Sequence, residues 1–131
     1  MSVHFDFSDR VVLVTGVGGA LGSAAAEAFL DAGATVCGAD LVSPDSDDFL
    51  LDDPERIDFY EGDFTDESVV AETIESIVDT HGRLDNLVNI AGTWRGGDPI
   101  DETDAELFEF LFGVNLKTMF LASKHAIPHI R

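Results

Sequence analysis

The sequence predicts an α/β fold built on a parallel sheet, and three observations carry that prediction. Short apolar runs alternate with longer stretches of helical period, the first run ends in a glycine-rich turn that opens a helix, and no repeat or low-complexity tract interrupts the alternation. Val11 to Val14 is a continuous apolar run, as expected of a strand covered on both faces. Gly22 to Gly33 reads as an alanine-rich helix, able to pack close to the sheet and stopped by Gly33. Thr35 to Asp40 is the second strand. Leu41 to Glu55 carries two prolines and many acids, which predicts a surface loop with a short turn of helix. Ile57 to Tyr60 is a short third strand. From Asp66 to His81, Val70, Ile74, Ile77 and Val78 share one helical stripe, with Asp66 as N-cap and Gly82 as the stop. Leu84 to Ile90 is the fourth strand, followed by a glycine-containing loop from Ala91 to Pro99. From about Asp104 the chain is expected to be helical to its end. Apolar residues surround that helix nearly completely between Leu107 and Ala122, which predicts burial on more than one side. Pro128 is expected to kink or end it near Ile127.

The chain has 131 residues, 45% of them hydrophobic, which suffices for one core and is too short for two ordinary domains. Its 26 acidic residues against 7 basic ones give a formal charge of −19, which repels phosphate backbones and makes nucleic acid and anionic membranes poor partners. The acids are spread through the apolar periodic segments, so they predict an acidic shell on a folded domain, of the kind stabilised by concentrated salt. No apolar run approaches the roughly 20 residues of a membrane span. The first ten residues lack the basic flank and apolar stretch of a secretory signal, and the single Cys37 excludes a disulfide framework. A cytoplasmic protein is expected.

Thr15-Gly-Val-Gly-Gly-Ala-Leu-Gly22 follows the first strand and opens the first helix. Glycines there let the backbone approach a dinucleotide pyrophosphate, and the helix directs free N–H groups at it. Asp40, about 18 residues beyond Gly22, ends the second strand near the offset at which a carboxylate meets the adenosine ribose. A carboxylate accepts hydrogen bonds from free hydroxyls and repels a 2′-phosphate. Neither the glycine turn nor Leu41-Val-Ser43 supplies the Arg or Lys that such a phosphate wants, so NAD is preferred over NADP.

These landmarks resemble the short-chain dehydrogenase/reductase family, over the whole chain. Thr15-Gly16 through Gly22 is similar to its T-G-x-x-x-G-x-G turn, with Ala20 in the middle glycine's place, where a methyl would sit in close helix packing. The same residues also fit T-G-x-x-G-x-x-G, the pattern of the extended branch that includes nucleotide-sugar epimerases. Gly62-Asp63-Phe64-Thr65-Asp66 resembles the segment after strand three whose Asp contacts adenine. Leu87-Val-Asn-Ile-Ala-Gly92 resembles L-V-N-N-A-G, with Ile90 replacing the second Asn, and favours the shorter branch.

The resemblance implies a Rossmann-like, doubly wound sheet of strand order 3-2-1-4 that ends before a fifth strand, making residues 1–131 one incomplete NAD-binding domain. It implies cofactor contacts from Gly16, Gly18, Gly19, Leu21 and Gly22 in the turn, and from Asp40 and Leu41 after strand two. Asp63 and Phe64 follow strand three, Asn89, Ala91 and Gly92 follow strand four, and Val114 lies in the last helix. Asn115 resembles the helix-embedded Asn that helps hold a water in the proton relay, the one retained member of the catalytic group. Buried in an apolar helix, its amide must find partners, and a structural bond to neighbouring backbone stands beside the catalytic reading.

Family members transfer the proton with a Tyr and a Lys four residues later. The only tyrosine here is Tyr60, Phe64 stands four residues on, and no Y-x-x-x-K exists. The chain is therefore expected to be the N-terminal, cofactor-binding part of an NAD-dependent oxidoreductase, whose longer form acts on a small alcohol or carbonyl and assembles as a homo-oligomer. The alternatives are an NAD-binding remnant or partner subunit without chemistry, and a fragment of an extended-branch sugar-nucleotide enzyme. In either case the fourth strand is expected as an apolar edge and the last helix as short of cover on one side, which predicts self-association.

The remaining signals are weak. His125 and His129 stand four apart, but Pro128 disturbs the turn and no third ligand is near, so no metal site is expected. Ser123 and Lys124 are adjacent on a helix and point apart. Cys37 reads as a small buried hydrophobe. Trp94 and Arg95, beyond the fourth strand, fit either the border of a substrate pocket or a surface anchor.

Overall fold

A computed structural model describes residues 2–130; Met1 and the terminal Arg131 lie outside them. Four strands, β1 (Val11–Thr15), β2 (Thr35–Asp40), β3 (Asp58–Glu61) and β4 (Asn86–Val88), form one parallel sheet in the order β3-β2-β1-β4. The helices are α1 (Ala20–Asp31), α2 (Glu67–His81), α3 (Ala105–Phe112) and α4 (Thr118–Ile130). Between α3 and α4 the chain stays helical through one π turn, Gly113–Lys117. Short 3₁₀ turns at Pro54–Arg56 and Ile100–Glu102 lie in the connecting loops. No helix among the described residues is long and apolar enough to cross a membrane.

Alternation along β1 builds two cores, one on each face of the sheet. Val11 and Leu13 point to the side covered by α2 and α4, where Ile74, Ile77, Leu121 and Ala126 are buried. Val12 and Val14 point to the side covered by α1 and the loop after β2, with Val17, Ala26, Phe49 and Ile57. All five residues of β1 are buried, which is why its run carries no polar residue before Thr15.

The helices follow their sequence signals. Asp66 caps α2 by accepting from the backbone N–H of Ser68 at 3.0 Å, and Gly82, at φ 79°, ends it. The helix α1 starts at Ala20, two residues before the expected Gly22, because its capping residue is Gly19 inside the glycine turn. The strand β4 is much shorter than the expected Leu84–Ile90. At its start the Asp85 N–H still donates to the Val11 carbonyl at 2.9 Å, but the Val11 N–H is taken by the Asp85 carboxylate, at 2.8 Å, and not by a strand carbonyl. At its end the N–H groups of Ile90 and Ala91 turn onto the Thr15 hydroxyl instead of a strand.

Two expectations for the last helix are corrected. Of the two outcomes expected at Pro128, a kink or an end, the end is excluded: α4 runs through to Ile130, because in the final turn a missing N–H removes only a terminal bond. Nor is the helix covered on more than one side. Thr118, Leu121, Ala122 and Ala126 face the sheet and are buried, while Phe108 and Phe120 are about 60% exposed on the opposite side. The expected shortage of cover is therefore present, and β4 is an edge strand.

Candidate cofactor cleft

Thr15 sets the geometry at the carboxyl end of the sheet. Its side chain is buried, and its hydroxyl oxygen accepts from the N–H groups of Ile90 and Ala91, both at 3.0 Å, so the segment after β4 is bound to the end of β1. Gly16 follows at φ 65°, a region favouring glycine, and a Cβ there would lie 2.9 Å from the Ala91 backbone. Gly22 is restricted by contact instead: its Cβ would stand 1.9 Å from the Gly16 carbonyl oxygen. The methyl of Ala20 meets no such limit, since Ala20 is exposed at the first position of α1. The close helix packing expected at Ala20 belongs to Gly22.

The turn delivers the N-terminus of α1 to a cleft of about 510 Å³ over the carboxyl ends of the strands, walled by the ends of β1 and β2 and the segments after β3 and β4. The first N–H groups of a helix have no partner within it, and the first turn of α1 holds no acidic side chain to satisfy them. At the far wall, Asp40 Oδ2 accepts from the Gly18 N–H at 2.8 Å and Oδ1 from the Val42 N–H at 3.1 Å. The acid is thus held in place by the glycine turn, with further lone pairs on each oxygen. Phe49 packs against Gly18, whose Cβ would fall 2.5 Å from the ring.

Most of the predicted residues converge here. Gly16, Gly18, Gly19, Leu21 and Gly22 line the cleft with Asp40 and Leu41 on one side, and Ala91, Gly92 and Val114 on the other. Asp63 and Phe64 close its edge; the Asp63 carboxylate is itself occupied by the Thr65 N–H and hydroxyl, at 2.9 and 2.6 Å. Asn89 is the exception. It does not line the cleft, and its amide donates to the Ser123 hydroxyl on α4 at 3.3 Å, a consequence of strand alternation that turns it away from Ile90.

Asn115 also stands outside the lining, at the centre of the π turn. It is exposed in this chain rather than buried, and both ends of its amide are nonetheless engaged. The side-chain carbonyl accepts the Thr93 N–H and the NH₂ donates to the Thr93 carbonyl, both at 2.9 Å. This is the bond to neighbouring backbone left open by the sequence. Gly92 makes room for it, because a Cβ there would be 2.7 Å from Asn115 Oδ1.

Sequence reasoning assigned no role to Thr15 or Asp48, which both line the cleft, although Thr15 stood in the quoted motif. Among the described residues no Lys or Arg lines it. Trp94 is exposed and does not border it, whereas the Arg95 guanidinium lies 4.3 Å over the ring of Phe110, one of its lining residues. Ser123 and Lys124 diverge as expected: Lys124 and His125 both bind Glu67 on α2, at 2.5 and 3.0 Å, and hold that carboxylate below its usual range.

Comparison with known proteins places this geometry. The profile of the short chain dehydrogenase family matches residues 10–131. An uncharacterized oxidoreductase of Thermotoga maritima is 37% identical over 131 residues, which cover 96% of this chain and 50% of that protein. The L-fucose dehydrogenase of Oryctolagus cuniculus is 34% identical over 129 residues, 95% of this chain and 44% of its own. Ligand-free aldohexose dehydrogenase of Thermoplasma acidophilum superposes with a TM-score of 0.85 at 31% identity, covering 98% of this chain and 47% of that one. The chain thus spans about half the length of the relatives it matches. With the parallel order β3-β2-β1-β4, the glycine turn at the switch point and the matched profile, this chain belongs to the short-chain dehydrogenase family of oxidoreductases.

Proposed function

We propose that the chain is the cofactor-binding part of an NAD-dependent oxidoreductase that interconverts small alcohols and carbonyls. The observation that supports NAD most directly is Asp40, fixed by the Gly18 N–H in a cleft whose described lining holds two further acids, Asp48 and Asp63, and no Lys or Arg. Members of the family use a nicotinamide nucleotide, and when bound this group gives or takes the hydride. The residues present fit it: Gly16 and Gly22 let the turn fold tightly against the Ala91 backbone and against itself, where a Cβ would clash, and the start of α1 so placed offers free N–H groups to a pyrophosphate. Asp40 and Leu41 would hold the adenosine ribose, and Asp63 and Phe64 the adenine. Ala91, Gly92 and Val114 would wall the nicotinamide side, with Asn115 bracing the loop after β4 through Thr93.

The chain contains no Y-x-x-x-K, so in this proposal the acid/base pair comes from sequence beyond these 131 residues. A hydroxyl-bearing small molecule as substrate is supported by the names of two relatives, L-fucose dehydrogenase and aldohexose dehydrogenase. Calorimetric titration of NAD⁺ and NADP⁺ into the chain and into Asp40→Ala tests the cofactor assignment. NAD⁺ is expected to bind at least about tenfold tighter, a difference of about 1.4 kcal/mol, and Asp40→Ala to narrow the gap. Equal affinities for the unaltered chain would overturn it.

A further inference from the structure

On the face of the sheet covered by α2, a second group of side chains meets away from the cleft. β2 and β3 are in register with Cys37 beside Asp58, so these two side chains leave the same face. His81, the last residue of α2, ends over the start of β3 just before Gly82 turns the chain. Its Nε2 lies 2.9 Å from Asp58 Oδ2, and one ligand atom each of Cys37, Asp58 and His81 falls within 4.8 Å of the others. None of the three lines the cleft, and the proposed hydride chemistry uses none of them.

Thiolate sulfur, imidazole nitrogen and carboxylate oxygen together form a donor set for a borderline cation such as Zn²⁺, at about 2.3, 2.0–2.1 and 2.0–2.2 Å. Tetrahedral angles at those lengths separate the ligand atoms by roughly 3.3–3.6 Å, so a shift of about 1 Å closes the set. Access is asymmetric. Cys37 is fully buried, while the side chains of His81 and Asp58 are 21% and 40% exposed and open toward solvent. The Tyr60 hydroxyl donates to the same Asp58 oxygen at 2.7 Å, an outer bond of the kind that orients a ligating carboxylate.

We propose that Cys37, Asp58 and His81 form a Zn²⁺-type site that ties the edge strand β3 to β2 and to the end of α2, with water in the fourth position. Binding exchanges the Cys37 S–H bond for an S–metal bond and releases that proton to solvent. The imidazole binds in its neutral form through Nε2, with its remaining proton on Nδ1. An unbound thiol buried among apolar side chains carries its proton at neutral pH, so that proton is the one displaced.

Titration of the metal-free chain with Co²⁺ reads each element. One equivalent is expected to raise a thiolate-to-cobalt charge-transfer band in the near ultraviolet and four-coordinate bands in the visible, all bleached by Zn²⁺. At about pH 8, above the histidine range, calorimetry in buffers of different ionisation enthalpy is expected to show about one proton released per metal. Cys37→Ser removes the charge-transfer band. His81→Gln, at a partly exposed helix end where the fold is not at stake, weakens Co²⁺ binding by more than about tenfold, whereas Tyr60→Phe keeps the band. A folded chain that gives no charge-transfer band, or that binds Co²⁺ equally with and without the His81 imidazole, overturns the proposal. NAD⁺ binding is measured independently, so failure here leaves the cofactor reading standing.

Discussion

Gly19 and Gly22 stand in the same turn, yet a methyl group has different consequences at them. At Gly22 it would lie 1.9 Å from the Gly16 carbonyl oxygen, backbone against backbone with nothing flexible to yield; at Gly19 the nearest atom is 3.5 Å away. Gly22→Ala is therefore expected to cost about 3 kcal/mol, and Gly19→Ala less than about 1 kcal/mol, as urea midpoints at constant slope would show. Equal losses would mean that the turn relaxes around the added carbon. Residues of this kind were legible from spacing because their requirement is local: a glycine where the chain doubles back, an acid at the end of a strand. Thr15 was not. Its role exists only because Ile90 and Ala91 arrive 75 and 76 residues later with free N–H groups. The Cys37 group was hidden for the same reason, since it needs the register of β2 with β3 and the stopping point of α2.

Among the elements, the π turn between α3 and α4 does the most with the least sequence signal. Gly113-Val-Asn-Leu-Lys117 continues the helical pattern without a break, and one extra residue in a turn leaves no compositional trace. The turn presents Asn115 to the Thr93 backbone, where two bonds of 2.9 Å hold the loop after β4. Asn115→Ala is expected to speed exchange of the Thr93 amide by about tenfold or more while leaving β1 protected, because each lost bond is worth about 1 kcal/mol locally. Hydrogen exchange followed by NMR reads this directly, and unchanged protection at Thr93 would show that the loop is held by other contacts, such as Arg95 on Phe110. The length of β4 was overestimated because apolar composition continues past the point where the Thr15 hydroxyl takes over the N–H groups of Ile90 and Ala91.

For the molecule as a whole, the alternation of apolar runs and helical periods made a parallel sheet legible, while its order β3-β2-β1-β4 was legible only through the family resemblance. The exposure of the last helix was misread from its apolar breadth, which records what its residues can bury and not what this chain supplies. That exposed face, with Phe108, Phe112 and Phe120, coexists with a formal charge of −19. The two oppose each other between copies, and salt weakens only the charge. Raising KCl to molar concentration is therefore expected to increase both the thermal midpoint and the mean mass seen by light scattering. A midpoint that fell with added salt would show that self-repulsion is not what limits stability.

The central position of β1 has a consequence for the order in which the molecule assembles. Its partner β2 follows after roughly 25 residues, but β4 arrives only after about 75, and closing the longer loop costs about 1 kcal/mol more in chain entropy. The pairing of β1 with β2 thus has the kinetic advantage, and it brings the glycine turn and Asp40 together while Ile90 to Gly92 are still unplaced. The opposite wall is added last. A chain caught before that final closure would already present a finished half-site, open along the side that β4 later shuts.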